Sequence, residues 1–259
     1  MNRTVIPGDP TTGRQNNQGF EGFTLSPDGN SLYVLIQSAL EQEGGQKSKN
    51  RRNARLVHYE LSEYGDPVYT SEYVVQLPFY NSGANVAAQS EIHYISPTQF
   101  LILARDSNAG HGQKSSTSVY RHADVFDISN ATNVKSPVHD AFNGSIASTT
   151  GVLNADVVPA TYCPWLDYNI NAQLNRFGVH NGGAQDSTLL NEKWESLALA
   201  PVSDDDNDDK DGKEYFLISV SDNDFITQNG TWFPHTLCYN PSIADVNLYR
   251  IYQLWPTTV

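Results

Sequence analysis

Glutamate stands at the start of three similar segments, and these glutamates are the first candidates for chemistry. The segments read FEGFTLSPDG, SEIHYISPTQ and WESLALAP, and when they are aligned Glu21, Glu91 and Glu195 coincide. A carboxylate in a hydrophobic strand costs free energy unless it has a use. Its recurrence at one place therefore predicts both a repeat architecture and a shared site.

More acidic residues follow the same segments. Asp106 and Asp222 come where the second strand of a unit ends, and Asp224 lies just beyond. Hard cations such as calcium bind about six to eight oxygen ligands, several of them carboxylates. If the acidic side chains converge, we expect a calcium site with the ligands Glu21, Glu91, Glu195, Asp106, Asp222 and Asp224.

Arg105 is the residue of these segments that suits an anionic substrate, because its guanidinium binds phosphate or carboxylate through two parallel hydrogen bonds. A metal, an arginine and a bridging water make a workable site for phosphoester hydrolysis. His93 lies two residues after Glu91 and so faces the same side of its strand, where an imidazole can act as general acid or base. The candidate catalytic residues are Arg105, Glu91 and His93. In the alternative, the acids pair with backbone amides and with Arg105 and only hold the units together.

Strands dominate the elements that must position these residues. Residues 20–78 read as a four-strand meander with a turn signal at Pro27-Asp28-Gly29-Asn30. Similar units are expected at about 86–153 and 191–256, with a fourth strand before Asn154 in the second of them. The segment LDYNINAQLNRF has apolar residues at helical spacing and predicts one short helix in an insertion at about 160–180.

Repeated four-stranded units are typical of β-propellers, in which about 4–8 blades surround a channel lined by the innermost strands. The glutamates would then surround the axis. Three blades leave sheet edges and apolar faces exposed. We therefore expect an all-β chain, residues 1–259 forming a single propeller region of about three blades. Upstream blades or a second copy would complete the ring, which has six blades if two copies close together.

Four ordered motifs, QGFEGFTLSPDG, SEIHYIS with FLILARD, NEKWESLALAPV and SDNDF, resemble the phytase-like family with esterase-like activity, in particular its secreted fungal members. The resemblance runs from about Asn16 to Phe225. It implies a propeller with a further half upstream, and a secreted hydrolase of a phosphoester or related ester. A function of another class stays open: a non-catalytic propeller that binds a ligand or a protein, with a structural acidic ring.

Charge and hydropathy limit the partners. The formal net charge is -13, which argues against nucleic acid. The expected partner is the small anionic substrate that Arg105 would suit. The longest apolar run, residues 32–36, is too short to span a bilayer. Five basic residues flank Gly44-Gly45 and are expected in a solvated loop: Lys47, Lys49, Arg51, Arg52 and Arg55.

Sequons and cysteines bear on the compartment. Glycosylation sequons occur at Asn2, Asn130, Asn143 and Asn229. Two cysteines allow one disulfide in an oxidising compartment. If the protein is secreted, we predict that Cys163 and Cys238 are bonded to each other. No signal peptide is visible after Met1, so a secreted protein would carry its leader upstream of this sequence.

Overall fold

The structure is a computed structural model that describes residues 11–111, 113–141, 144–202 and 215–222, and the short strands at 231–233, 236–238 and 249–251. The strands, in chain order, are β1 (Phe20–Leu25), β2 (Ser31–Ile36), β3 (Asn53–Glu60), β4 (Val68–Gln76), β5 (Phe79–Tyr80), β6 (Asn85–Val86), β7 (Ala88–Tyr94), β8 (Gln99–Arg105), β9 (Arg121–Asp127), β10 (Thr161–Asp167), β11 (Lys193–Pro201), β12 (Tyr215–Asp222), β13 (Thr231–Phe233), β14 (Thr236–Cys238) and β15 (Tyr249–Ile251). The helical elements are α1 (Asn171–Leu174) and two 3-10 turns, Glu41–Glu43 and Asn175–Phe177.

The first sheet has the order β1-β2-β3-β4, an antiparallel meander. Its first hairpin turns where the sequence predicts. The Ser26 hydroxyl donates to Asp28 Oδ1 over 2.5 Å, the Asn30 amide donates to the same oxygen over 3.1 Å, and Gly29 takes a left-handed φ of 73°. Local hydrogen bonds of this kind fix the turn, and with it the register of β1 on β2.

The second sheet has the order β10-β9-β8-β7. Its fourth strand is β10, so the expected fourth strand before Asn154 is wrong. The predicted helix begins too early for the same reason: Leu166 lies in β10, and only Asn171–Leu174 is α-helical. Residues 161–167 form a strand instead of a helix because the Trp165 amide and the Tyr162 hydroxyl both donate to the buried Asp124 carboxylate on β9. Those two bonds hold the segment extended at the sheet edge, where Pro164 is tolerated.

Two compact units divide the chain: residues 1–104 with 122–166, and residues 105–121 with 167–259, here called unit 1 and unit 2. In unit 1 the first and second sheets share an aromatic core. The Tyr33 and Phe100 ring centroids lie 4.8 Å apart and those of Phe100 and Phe126 lie 5.1 Å apart. Burial of such rings is the main favourable contribution to packing of one sheet on the other.

Unit 2 contains a third sheet of order β11-β12-β15 and the β13-β14 hairpin. Trp194 on β11 is buried and stacks on Tyr168 with ring centroids 4.4 Å apart. The Tyr168 hydroxyl shares a hydrogen bond of 2.5 Å with Ser219 Oγ on β12. The strand-rich class is therefore confirmed, while the arrangement of the sheets as blades of a propeller stays a prediction.

Candidate anion-binding site

The first and third aligned glutamates occupy the same backbone irregularity. In the β1–β2 pair Phe20 lies opposite Ile36 and Gly22 opposite Leu35, so Glu21 is the extra residue of a β-bulge. In the β11–β12 pair the register shifts between Trp194 and Ser196, so Glu195 is the extra residue there. A bulge redirects a side chain and often lies beside a functional site. The equivalence of these two positions therefore rests on backbone geometry as well as on sequence.

Glu91 lies half-buried on β7 in unit 1. Its Oε1 accepts a hydrogen bond of 2.9 Å from the Ile92 amide, and the Phe23 amide also bonds to the carboxylate. Burial raises the pKa of Glu91 in spite of these two bonds, and burial lowers the pKa of His93 on the same strand. Both shifts favour the neutral form of the group, as burial does for any titratable side chain.

Arg105 is the last residue of β8 and the first residue of unit 2, and it is almost completely buried. Its Nη2 donates to Glu195 Oε1 over 2.5 Å, and its Nη1 donates to the Asp106 carbonyl over 3.2 Å. The carboxylate of Glu195 remains partly exposed. The structure therefore brings together two of the predicted site residues, Arg105 and Glu195, as an ion pair with one end open to solvent.

Asp106 is a buried anchor for the segment that follows it. Its carboxylate accepts from the Asn108 amide (3.0 Å), the Ser118 hydroxyl (2.9 Å), the Val119 amide (2.6 Å) and the Tyr120 amide (2.8 Å). Four donors occupy most of the lone pairs of one carboxylate. These bonds favour a structural role in holding residues 107–120, so Asp106 fits the role of metal ligand poorly.

Arg121, the first residue of β9, is a site residue that the sequence argument missed. Its side chain is 0% exposed, and its Nη1 donates to Asn169 Oδ1 (2.8 Å) and Asn181 Oδ1 (2.7 Å). Within the part of the chain that the structure describes, its Nε and Nη2 have no hydrogen-bond partner. Burial lowers the pKa of Arg121 to about 10, against the opposing effect of nearby carboxylates, so the guanidinium stays charged at neutral pH.

Arg105 and Arg121 are neighbours in the backbone pairing of β8 and β9. The Asp106 amide donates to the Tyr120 carbonyl over 2.9 Å, which pairs β8 and β9 next to both arginines. The sequence signal for Arg121 is its place in RHADVFD, two residues before Ala123 and so on the same strand face, and the structure buries both side chains. An arginine that opens a strand and occupies a position facing the core is costly and needs a compensating role.

No direct contact with this pair is recorded for the remaining predicted site residues in the part of the chain that the structure describes. Glu21, Glu91 and His93 belong to unit 1, and Asp222, exposed at the end of β12, belongs to unit 2. Asp224 lies outside the described residues. Within the described ranges no three His, Cys, Asp or Glu side chains are grouped as a metal ion would require. The calcium site and the convergence of the glutamates stay predictions.

A second charged cluster, in unit 1, corrects one expectation. Arg55 was expected in a solvated loop, but it is buried on β3 and forms ion pairs with the buried Glu43 and Glu72, the latter at 2.8 Å. Burial alone would lower the pKa of Arg55, but hydrogen bonds and charges of the two glutamates outweigh it and raise the pKa. The Tyr69 hydroxyl donates to Glu72 over 2.6 Å and completes the network.

The predicted modification sites are partly described. Asn130 is exposed after β9, whereas Asn2, Asn143 and Asn229 lie outside the described residues. Cys163 is exposed on β10 and free of a disulfide, and the side chain of Cys238 is outside the description. The disulfide and the glycans are therefore not confirmed and stay predictions. Among the described residues no helix combines the length and apolar character that a membrane span requires.

Antiparallel sheets, with glutamates at equivalent bulges in the first and the third of them, define the chain as a strand-rich protein with a candidate anion-binding site. Residues 2–225 match the model of the phytase-like family, described as esterase-like activity of phytase. The chain belongs to this family, as the motifs predict.

One curated relative shares most of the chain. It is an uncharacterized secreted protein of Arthroderma benhamiae (strain ATCC MYA-4681 / CBS 112371), 53% identical over 239 residues. The match covers 88% of this chain and 46% of the relative, so the chain spans about half of that protein's length. This relative agrees with the predicted secreted, fungal character. No solved structure matches the chain.

Proposed function

We propose that the protein acts in a secreted hydrolase of a phosphoester or related ester, and that Arg105 and Arg121 bind the anionic part of the substrate. Family membership supports a hydrolase in general. The observation that carries the anion-binding role is the Nε–Nη2 edge of Arg121, which has no partner among the described residues; Arg121 begins β9, which pairs with the strand that Arg105 ends. This edge of a guanidinium presents two parallel donors, the geometry that phosphate and carboxylate oxygens accept.

Electrostatics in unit 2 favours an oxyanion at this edge of Arg121. A buried donor of a charged group that lacks a partner costs about 1–3 kcal/mol or more, and a bidentate anion would satisfy two such donors. Arg105 supplies a second positive charge, which Glu195 neutralises in this structure. Because Arg121 has no exposed surface, an anion reaches it only after residues 107–120 or neighbouring side chains move.

Glu195 has the clearest role in such a movement. A substrate anion that approaches Arg105 competes with the Glu195 carboxylate, whose partial exposure allows it to turn towards solvent. Glu91 and His93, which belong to unit 1, stay the acid and base candidates that the sequence predicts. Calcium stays part of the proposal as the ion that would polarise the ester, with Glu195 and Asp222 as its more accessible ligands in unit 2.

Charge-preserving variants test this proposal. Hydrolysis of p-nitrophenyl phosphate, phytate and p-nitrophenyl acetate is measured with calcium and with a chelator, for the natural protein, Arg105→Lys and Arg121→Lys. Lysine keeps the charge but loses the paired donors. We expect at least a tenfold loss of kcat/KM on the phosphate esters and a much smaller loss on the neutral acetate ester.

Arg176→Lys is the matched control, because Arg176 is exposed and its contacts are local, a hydrogen bond to Gln173 and a position over the Phe177 ring. It should match the natural protein on all three substrates. Equal losses on charged and neutral esters in the two buried variants would contradict the anion-binding role, and absence of hydrolysis of every ester would contradict the enzymatic one.

The alternative of a non-catalytic binding protein is favoured by one observation, the four hydrogen bonds to Asp106, three from backbone amides and one from the Ser118 hydroxyl. In that case the acidic residues maintain structure and the arginines only hold a ligand. Calorimetric titration with inorganic phosphate separates the two functions: binding that Arg121→Lys weakens, without turnover of any ester, would support the binding protein.

A further inference from the structure

The loop that precedes β3 concentrates positive charge in an acidic protein. Four of the six residues 47–52 are basic, and residues 44–59 contain no Asp or Glu, although the formal net charge of the chain is -13. Like charges this close together repel one another, so the cluster costs free energy unless solvent or a bound anion compensates. The basic loop is defined here by four residues: Lys47, Lys49, Arg51 and Arg52.

The basic loop lacks counter-ions within the part of the chain that the structure describes. No carboxylate there lies within ion-pair distance of any of its four side chains. Arg55, further along the same segment, shows the contrast, because it is paired with both Glu43 and Glu72. The fold therefore neutralises one arginine of this segment and leaves four positive charges to solvent or to a partner.

Both arginines of the basic loop are half-buried near β5. The Arg52 guanidinium carbon lies 4.6 Å from the centroid of the Phe79 ring, and its Nε donates to the Leu77 carbonyl over 3.3 Å. Arg51 Nη1 makes one long bond of 3.4 Å to Gln18 Oε1, and its buried Nε has no partner among the described residues. Burial lowers the pKa of both arginines. A bound anion would replace the water that these two charges have partly lost.

Backbone hydrogen bonds hold the basic loop in one conformation. The Asn50 amide donates to the Lys47 carbonyl over 2.8 Å. The Ala39 amide donates to the Arg51 carbonyl over 2.9 Å and fixes the end of the loop. The side chains of Lys47 and Lys49 remain exposed. Because the loop is already ordered, a partner that binds these charges loses little free energy in ordering it.

We propose that the basic loop, together with the Phe79 ring, binds an acidic polysaccharide outside the cell through the anionic groups of that polymer. Several Lys and Arg within about 5–8 residues are typical of surfaces that bind heparin or nucleic acid. The net charge of -13 disfavours nucleic acid, whose dense charge the acidic remainder of the protein repels. The secreted character of the protein brings it among extracellular polyanions. Phe79 is 43% exposed and offers an apolar surface to a sugar ring.

Binding of heparin to the intact protein, measured by isothermal titration calorimetry over a range of salt concentrations, tests the inference and requires no ester turnover. Lys47→Gln combined with Lys49→Gln removes two exposed charges of the basic loop. We expect at least tenfold weaker binding and a shallower salt dependence, because fewer counterions are released. Lys114→Gln combined with Arg176→Gln is the matched control, since it removes two exposed charges from unit 2 and should leave heparin binding unchanged.

A second variant tests the guanidinium of the basic loop. Arg51→Lys keeps the charge but loses the Nε donor, so it should weaken heparin binding at least threefold. Uncharged dextran should not bind. Absence of heparin binding at low salt, or an affinity that neither the lysine pair nor Arg51→Lys lowers relative to the control, would overturn the inference. Tighter binding of poly-glutamate or of a single-stranded oligonucleotide than of heparin would overturn it as well, since the partner would then be an acidic protein or nucleic acid.

Discussion

Charged side chains placed among buried apolar ones decide much of this protein's chemistry. Arg55 between Glu43 and Glu72 in unit 1, and Arg105 with Arg121 in unit 2, are all less than one-tenth exposed. Removing an ion from water costs several kcal/mol, which a well-formed network offsets only if each member keeps its partners. The two clusters differ in this respect: Arg55 has all its nitrogens bonded, and Arg121 has two that lack partners among the described residues.

Arg55→Met is therefore expected to destabilise the protein strongly. The methionine fills a similar volume, but Glu43 and Glu72 lose their counter-ion while buried. Breaking a buried ion pair by removing one partner typically costs about 3–5 kcal/mol. Chemical denaturation monitored by tryptophan fluorescence measures the free energy of unfolding, and Arg176→Met at an exposed turn is the control. A change below about 1 kcal/mol for Arg55→Met would contradict the role of the network, given the usual size of surface effects.

His58 predicts a loss of stability in acid. Its ring stacks on Tyr33 with centroids 4.3 Å apart, and its Nδ1 lies 3.0 Å from Thr70 Oγ1 and 3.2 Å from Ser71 Oγ. Burial lowers the pKa of His58, against the opposing charge of Glu60. The unfolded chain, with an ordinary histidine pKa of about 6.5, then binds the proton more readily than the folded protein does.

The stability that the neutral ring contributes is complete above pH ~6.5 and declines as the pH falls towards the lowered folded pKa. Melting temperatures between pH 7.5 and 5 should decrease for the natural protein and decrease less for His58→Gln. His93, whose pKa is also lowered by burial, adds a loss of the same sign. An unchanged slope in His58→Gln would show that His58 does not contribute to the acid response.

At the scale of elements, close approach of strands β1 and β7 fixes how the first two sheets meet. A Cβ at Gly22 would lie 2.7 Å from Gln89 Oε1 and 2.8 Å from the Ile92 amide nitrogen. The Tyr94 amide also donates to Thr24 Oγ1 over 3.1 Å, and the Gln89 amide group donates to the Leu35 carbonyl over 2.8 Å. Glycine at position 22 therefore permits the contact that positions Glu21 and Glu91 on neighbouring strands.

Gly22→Ala should force the two strands apart. Overpacking of this kind typically costs about 1–3 kcal/mol, and here it acts against backbone atoms that cannot turn aside. Gly19→Ala is the matched control, because the nearest atom to its added methyl would be the flexible Arg14 Cδ at 3.6 Å. Thermal unfolding of both variants is the measurement. Equal melting temperatures would show that β1 and β7 separate at little cost.

The strand pattern and the first turn could be predicted from sequence because both depend on neighbours along the chain. Ser26, Asp28 and Gly29 make the β1–β2 turn through local bonds. Strand β10 could not be predicted from sequence, because its extended conformation depends on hydrogen bonds to Asp124, which is distant in sequence. Arg121 was missed for the same reason: its polar partners Asn169 and Asn181 come from later segments, and local sequence carries no sign of them.

At the scale of the molecule, the predicted disulfide between Cys163 and Cys238 would close a long loop of the chain. If the predicted bond forms on secretion, its reduction should lower the free energy of unfolding by about 2–5 kcal/mol. Peptide mapping without reductant should find the linked pair. Alkylation of both thiols in native, unreduced protein would show instead that the cysteines are free, as Cys163 is in this structure.

Net charge provides a final test of the calcium prediction. With a formal net charge of -13, the negative charges of the folded protein repel one another, and salt stabilises the fold by screening this repulsion. A specific site adds to this, because an ion that binds only the folded state stabilises it by RT ln(1 + [L]/Kd), which is about 2.7 kcal/mol at a hundred times Kd.

Calcium at millimolar concentration should therefore raise the melting temperature above that in sodium chloride of equal ionic strength. Glu195→Gln should reduce the difference, whereas Glu63→Gln, at an exposed turn outside the acidic segments, should leave it unchanged. Equal melting temperatures in calcium and in sodium chloride would leave screening as the whole effect and would remove calcium from the proposed mechanism.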